Sequence, residues 1–174
     1  MKTPEVFAIP RDPNGKLTID DLYAQANGYM NSRWEEHHEI APMWICASKE
    51  ALIVVVTPWE NEADKAQAIG FLRRMFDTMR IESYAFMTEA WMAVVKPGMP
   101  DDLTTKMPMD RPDRKEVVML NAFEKSGENS REAFFDIVRK EGRSPYLIPS
   151  KDMAGLKGLQ GRMFNLFNPI RKSN

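Results

Sequence analysis

Both histidines of the chain stand side by side in "EEHHE", where His37 and His38 are fenced by Glu35, Glu36 and Glu39. On a helix, neighbouring residues point about 100° apart, so this pair does not chelate one ion together. A zinc helix wants histidines four apart, as in HExxH, and no such spacing exists here. Glu35 and His38 do have the Glu-x-x-His spacing of di-iron bundles, but the second copy that such a site needs is missing. Imidazoles are electrostatically comfortable at a helix C-terminus, so the stretch reads as a helix end, with Glu35 and His38 as weak metal candidates.

Glu89 is the stronger candidate. It is the only charge between Ser83 and Val95, in "SYAFMTEAWMAVV", a strand that otherwise reads as buried. A carboxylate there needs a basic partner, a raised pKa or a place at a cleft. The downstream turn "PMDRPDRKE" supplies possible partners in Asp110, Arg111, Asp113, Arg114, Lys115 and Glu116. Written with Pro100 and Asp101, its Asp113-Arg114-Lys115 also matches the PD…DxK string of metal-dependent nucleases, where carboxylates bind Mg²⁺ and the lysine positions water. The whole string falls within sixteen residues of proline-rich chain, so the match is of low specificity. Cys46 lies in an apolar strand, where a thiol is unreactive. No Gly-rich phosphate loop, GxSxG elbow or paired-cysteine motif occurs, and no cofactor is expected.

These residues must be held by a framework that the hydrophobic pattern outlines. Residues 1–16 read as an extended arm closing in the turn "DPNG". Thr18 and Asp21 have capping-box spacing, and Ile19, Leu22, Ala26, Met30 and Trp34 form one helical stripe that should end near 36–38. "MWICASKEALIVVVT" reads as a β-hairpin. In "TPWE", Thr57 as N-cap, Pro58 at the first position and Glu60 at the third predict a helix reaching Arg80. A strand, a helix and the strand of Glu89 then imply a crossover with parallel pairing or near-pairing. "KEVVMLNAFE", "REAFFDIVRK" and "SPYLIPS" read as an antiparallel meander, with 131–140 alternatively a short helix. The expected fold class is α+β: a single layer of mixed five- to six-stranded sheet with two or three helices mainly on one face.

The expected organisation is one domain over 1–150 followed by a basic amphipathic segment, 151–174. In that tail Leu159, Met163 and Phe167 lie on an apolar face, with five basic residues against one acidic, and glycines at 155, 158 and 161 weaken a solitary helix. The segment should dock on the chain's own core or on a partner, which makes self-association or a protein partner the expected interaction. A formal charge of −1 over 174 residues argues against nucleic acid as a partner. One cysteine suits a reducing cytoplasm, and no apolar run approaches the length of a membrane span, so no membrane insertion is expected.

"TEAWMAVV", together with "DRPDRKEVVML", resembles a pattern in uncharacterised bacterial and phage-encoded small proteins. There a strand ending Ser/Thr-Glu-Ala-Trp is followed by a proline-rich loop and an acidic–basic turn into the next strand. The resemblance covers about residues 50–148 and implies a phage or mobile-element accessory role, with no activity and no site residue attached. The sequence therefore reads first as a non-catalytic cytoplasmic binding or assembly protein, whose contact residues include Trp91, Arg111, Arg114, Leu159, Met163 and Phe167. The alternative is a metal-dependent hydrolase or nuclease using Glu89 with Asp110, Asp113 and Lys115.

Overall fold

The computed structural model describes residues 3–12, 14–93, 106–151 and 166–167. Helix α1 runs Ile19–His37, and its start is the predicted capping box. The Thr18 hydroxyl accepts from the Asp21 N–H at 3.2 Å, while the Asp21 carboxylate accepts from the Thr18 N–H at 2.9 Å. The Thr18 hydroxyl also donates to the Asp21 carboxylate at 2.7 Å, and this bond, with that from the Thr18 N–H, holds the Asp21 carboxyl below its ordinary range. The buried residues of α1 are the predicted stripe, Ile19, Leu22, Ala26, Met30 and Trp34.

Strands β2 (Met43–Ala47) and β3 (Ala51–Val56) form the expected hairpin. Helix α2 starts later than the sequence suggests, at Glu62, and runs to Thr78. Its N-cap is Asn61, whose side chain accepts from the Asp64 N–H at 2.9 Å. Thr57, expected as the cap, is buried instead, and its N–H extends the β2–β3 ladder to the Pro42 carbonyl at 3.0 Å. A backbone amide satisfied by a neighbouring strand holds the residue in extended geometry, so the helix waits for the next capping side chain.

Strand β4 (Ser83–Met92) follows, then β5 (Lys115–Glu124), β6 (Ser130–Val138) and β7 (Tyr146–Pro149), an antiparallel meander in which 130–138 is strand rather than helix. The arm contributes a strand of its own, β1 (Glu5–Pro10), paired with β3. The fold is α+β, with one seven-stranded sheet in the order β1-β3-β2-β4-β5-β6-β7.

Two expectations are corrected. The sheet is antiparallel at every pairing rather than mixed. The crossover through α2 does leave β3 and β4 running the same way, but β2 lies antiparallel between them, so they are near neighbours and not a pair. The helices also lie on opposite faces rather than mainly on one. Alternate residues of a strand point to opposite sides. Met43, Ile45, Ala85, Met87, Val118 and Leu120 meet α1, whereas Trp44, Cys46, Ile53, Val55, Tyr84 and Phe86 meet α2. All five residues of β2 are buried, and a strand apolar on both sides requires cover on both.

The α2 face is also where Leu166 is buried and Phe167 packs, 5.3 Å between ring centroids from both Phe76 and Tyr84. Leu159 and Met163, predicted to share the apolar face of this segment, lie outside the described residues, as does Asp101. Among the described residues no helix is long and apolar enough to cross a membrane.

Candidate functional site

The histidine pair closes α1. His38 takes the left-handed conformation, φ 53°, and its N–H bonds back to the Trp34 carbonyl at 2.8 Å, which ends the helix. Its ring stands edge-on to Trp34 at 6.1 Å. His37 Nε2 lies 2.8 Å from the Arg33 guanidinium, a donor, so that nitrogen acts as the acceptor. Glu35 is exposed. Among the described residues no three His, Cys, Asp or Glu side chains gather so as to hold a metal ion.

Glu89 is half-buried on the α1 face, in line with Ala85, Met87 and the exposed Trp91. Its partner is a backbone amide rather than a basic side chain. Glu89 Oε1 accepts from the Ile40 N–H at 2.7 Å, and the Glu89 N–H approaches the Ile40 carbonyl at 3.4 Å. The carboxylate thus ties the connection after α1 onto β4. Burial pushes the Glu89 carboxyl above its ordinary value; the Ile40 N–H opposes this, Glu116 and Glu39 add to it, and Arg139 opposes it again. Arg139 follows β6 and grips Glu116 with two contacts of 2.8 Å, a fork that holds the Glu116 carboxyl low. A cavity of about 350 Å³ lies beside this cluster, lined by Phe7, Tyr29, Arg33, Glu39, Ile40 and Met87. A larger one, about 620 Å³, opens by the β2–β3 turn among Ser48, Glu50, Met79, Arg80 and Glu82, away from every residue singled out from the sequence.

The turn before β5 is held by local contacts. A 3-10 turn spans Pro108–Asp110, and the Asp110 N–H bonds the Met107 carbonyl at 2.9 Å. The Arg111 side chain is only 2% exposed and holds Asp113 by two hydrogen bonds, 2.9 and 2.7 Å. Arg114 donates to the Met109 carbonyl and lays its guanidinium 4.5 Å over the Trp91 ring. Lys115 lies 3.6 Å from Asp136. Of the groups expected to act with Glu89, Lys115 stands on the other side of the sheet. Lys115 shares its side of the sheet with Val117 and Asp136, the opposite side from Glu89 and Glu116.

Of the charges that bear on Glu89, Glu116 was among the partners the sequence offered, whereas Glu39 and Arg139 went unmarked. Alternation along Phe135, Ile137 and Arg139 carried the signal for Arg139, once 130–138 is a strand. Asn121, opposite Phe86, also went unmarked: it is 0% exposed, and among the described residues neither its amide nitrogen nor its oxygen has a partner. Cys46 is fully buried, and burial drives its thiol pKa up, away from reactivity. Comparison with protein-family models, curated proteins and solved structures finds no match for the chain.

Proposed function

We propose that the chain is a non-catalytic binding protein, and that one contact surface is the platform formed by Trp91, Arg114, Met107 and Met109. The observation that carries this is an exposed Trp91 with Arg114 stacked on its ring, flanked by Met107 at 64% and Met109 at 57% exposure. Tryptophan, arginine and methionine are enriched at protein interfaces, and tryptophan and arginine carry most of the energy there. Arg114 is held to the Met109 carbonyl, so the stack is pre-formed and loses little freedom on binding. Buried Arg111, gripping Asp113, braces the turn beneath it. The seating of Leu166 and Phe167 on the aromatic face supports docking of the C-terminal segment on the chain's own core. A cytoplasmic accessory role, the one suggested by the resemblance, is compatible with such a protein.

The test is affinity capture with wild-type and Trp91→Ala chains from one lysate. Proteins retained by the wild type and lost with Trp91→Ala support the platform; identical retention removes it.

The hydrolase reading draws on one observation, the raised proton affinity of Glu89, a trait of acid–base groups. Melting with and without millimolar Mg²⁺, Mn²⁺ or Zn²⁺ separates the two readings, since an ion bound only by the folded chain raises Tm. A rise abolished by Glu89→Gln favours the hydrolase.

A further inference from the structure

The two edges of the sheet differ. Strand β7 is four residues long, a short edge of the kind that resists further pairing. Strand β1 is six residues long, every one exposed, and includes Val6, Phe7 at 56% and Ile9 at 55%. The hydrogen-bond parity of β1 follows from its last contact. The Arg11 N–H donates to the Glu50 carbonyl at 2.9 Å, one step beyond the Pro10–Ala51 pair. Antiparallel ladders alternate, so Glu5, Phe7, Ile9 and Arg11 turn their backbone groups toward β3. Val6, Ala8 and Pro10 turn theirs to the open edge, where Pro10 has a carbonyl and no N–H.

We infer that this edge pairs with the same edge of a second copy of the chain, antiparallel, about a two-fold axis through Ala8. The reading extends that of a binding protein but uses a surface separate from the Trp91 platform. In this register the two Ala8 residues exchange hydrogen bonds, and each Val6 N–H meets the partner's Pro10 carbonyl. Phe7 stands opposite the partner's Ile9, and Glu5 opposite the partner's Arg11. Apolar meets apolar and acid meets base at each position, as cross-strand pairs favour. Among the described residues the Glu5 carboxylate makes no hydrogen bond or ion pair, and the Arg11 guanidinium donates only to the carbonyls of Ser48 and Gly15, at 2.7 and 2.6 Å. Both charges therefore lack the opposite charge that the register supplies. Because Pro10 offers no donor, the Val6 carbonyl is left without a strand partner in this register, and a two-fold contact closes without leaving a site for a third chain. Leu166 and Phe167, from the C-terminal segment, sit with Phe76 and Tyr84 on the α2 face, away from this edge.

Light scattering on the full chain decides the matter. The expected mass is twice 20.0 kDa. Ala8→Pro removes an N–H that faces away from β3, so the β1–β3 ladder stays intact, and the mass should fall to that of one chain. Should Ala8→Pro not fold, the double variant Phe7→Lys, Ile9→Lys takes its place, because both side chains are exposed, and the same fall is expected. A wild type that stays a single chain up to about 100 μM overturns the proposal, since that is a Kd weaker than about −5.5 kcal/mol. A folded variant that keeps the double mass overturns it too. Trp91→Ala should leave the mass unchanged; a fall there would move the contact to the platform and also overturn the edge pairing.

Discussion

The two faces of the sheet solve the same problem with different materials. The α1 face is mostly aliphatic, with Leu22, Met30, Ile45, Met87, Val118 and Leu120 in one cluster under a single helix. The α2 face is aromatic. Trp44 stacks on Phe86 at 4.6 Å and 24°, and Tyr84 lies 5.2 Å from Phe76 and 5.4 Å from Phe123. Among the described residues, an amphipathic helix with a continuous stripe is the one helix over the first face. On the second, α2 packs over β2, β3 and β4, and Phe167 adds its ring beside Phe76 and Tyr84. Large flat side chains leave gaps that one helix does not fill, so the aromatic face recruits chain from far along the sequence.

The comparison breaks most visibly at Trp44. Trp44→Ala should cost about 3–5 kcal/mol, because it leaves a void beneath both Phe86 and Trp59. Urea unfolding measures it, and a loss below about 1 kcal/mol would mean that the aromatic face is not a packed core. Phe167→Ala should come next, at about 1–3 kcal/mol, less than a core phenylalanine because its ring is only partly buried. A null result there would detach the C-terminal pair from the face. On the aliphatic side the matching change is small. Thr18→Ala removes the cap of α1 and should cost about 1 kcal/mol, with the unfolding slope unchanged.

Glu89→Gln sharpens the contrast at the polar end of the α1 face. Burial raises the proton affinity of Glu89 in the folded state above its ordinary value of 4.5. The folded chain therefore holds more proton than the unfolded one just above that pH, and stability falls as pH rises through the window. Glutamine keeps an oxygen for the Ile40 N–H without the charge. The variant should be the more stable one near pH 7, by a fraction of a kcal/mol once solvent screening of a half-buried group is allowed for. The advantage should vanish near pH 3. A Tm–pH curve identical to that of the wild type would show that Glu89 is solvated in the folded chain.

Much of this architecture was legible because local chemistry announces itself. The Thr18–Asp21 box, the α1 stripe and the meander each depend on residues close in sequence, and each stands as read. What escaped depends on distant partners. Strand β1 carries prolines at both ends, which reads as a loose arm, yet proline is admissible in a strand at a sheet edge with its nitrogen facing outward. The start of α2 was misplaced because "TPWE" is a good helix start in isolation, and only the pairing of Thr57 with Pro42 vetoes it. Glu89 was correctly marked as anomalous, while its partner, a main-chain amide, has no signature in side-chain sequence.

The placement of β2 has a consequence for how the chain assembles. The β2–β3 hairpin and the β4–β7 meander each close over short turns or one loop, so both can form early. The join between them, β2 against β4, waits for everything from Val56 to Ser83 to loop around. The pairing of β1 with β3 joins residues 41 to 51 apart and waits likewise, so the molecule is two zippers fastened by two long closures, and folding should slow there.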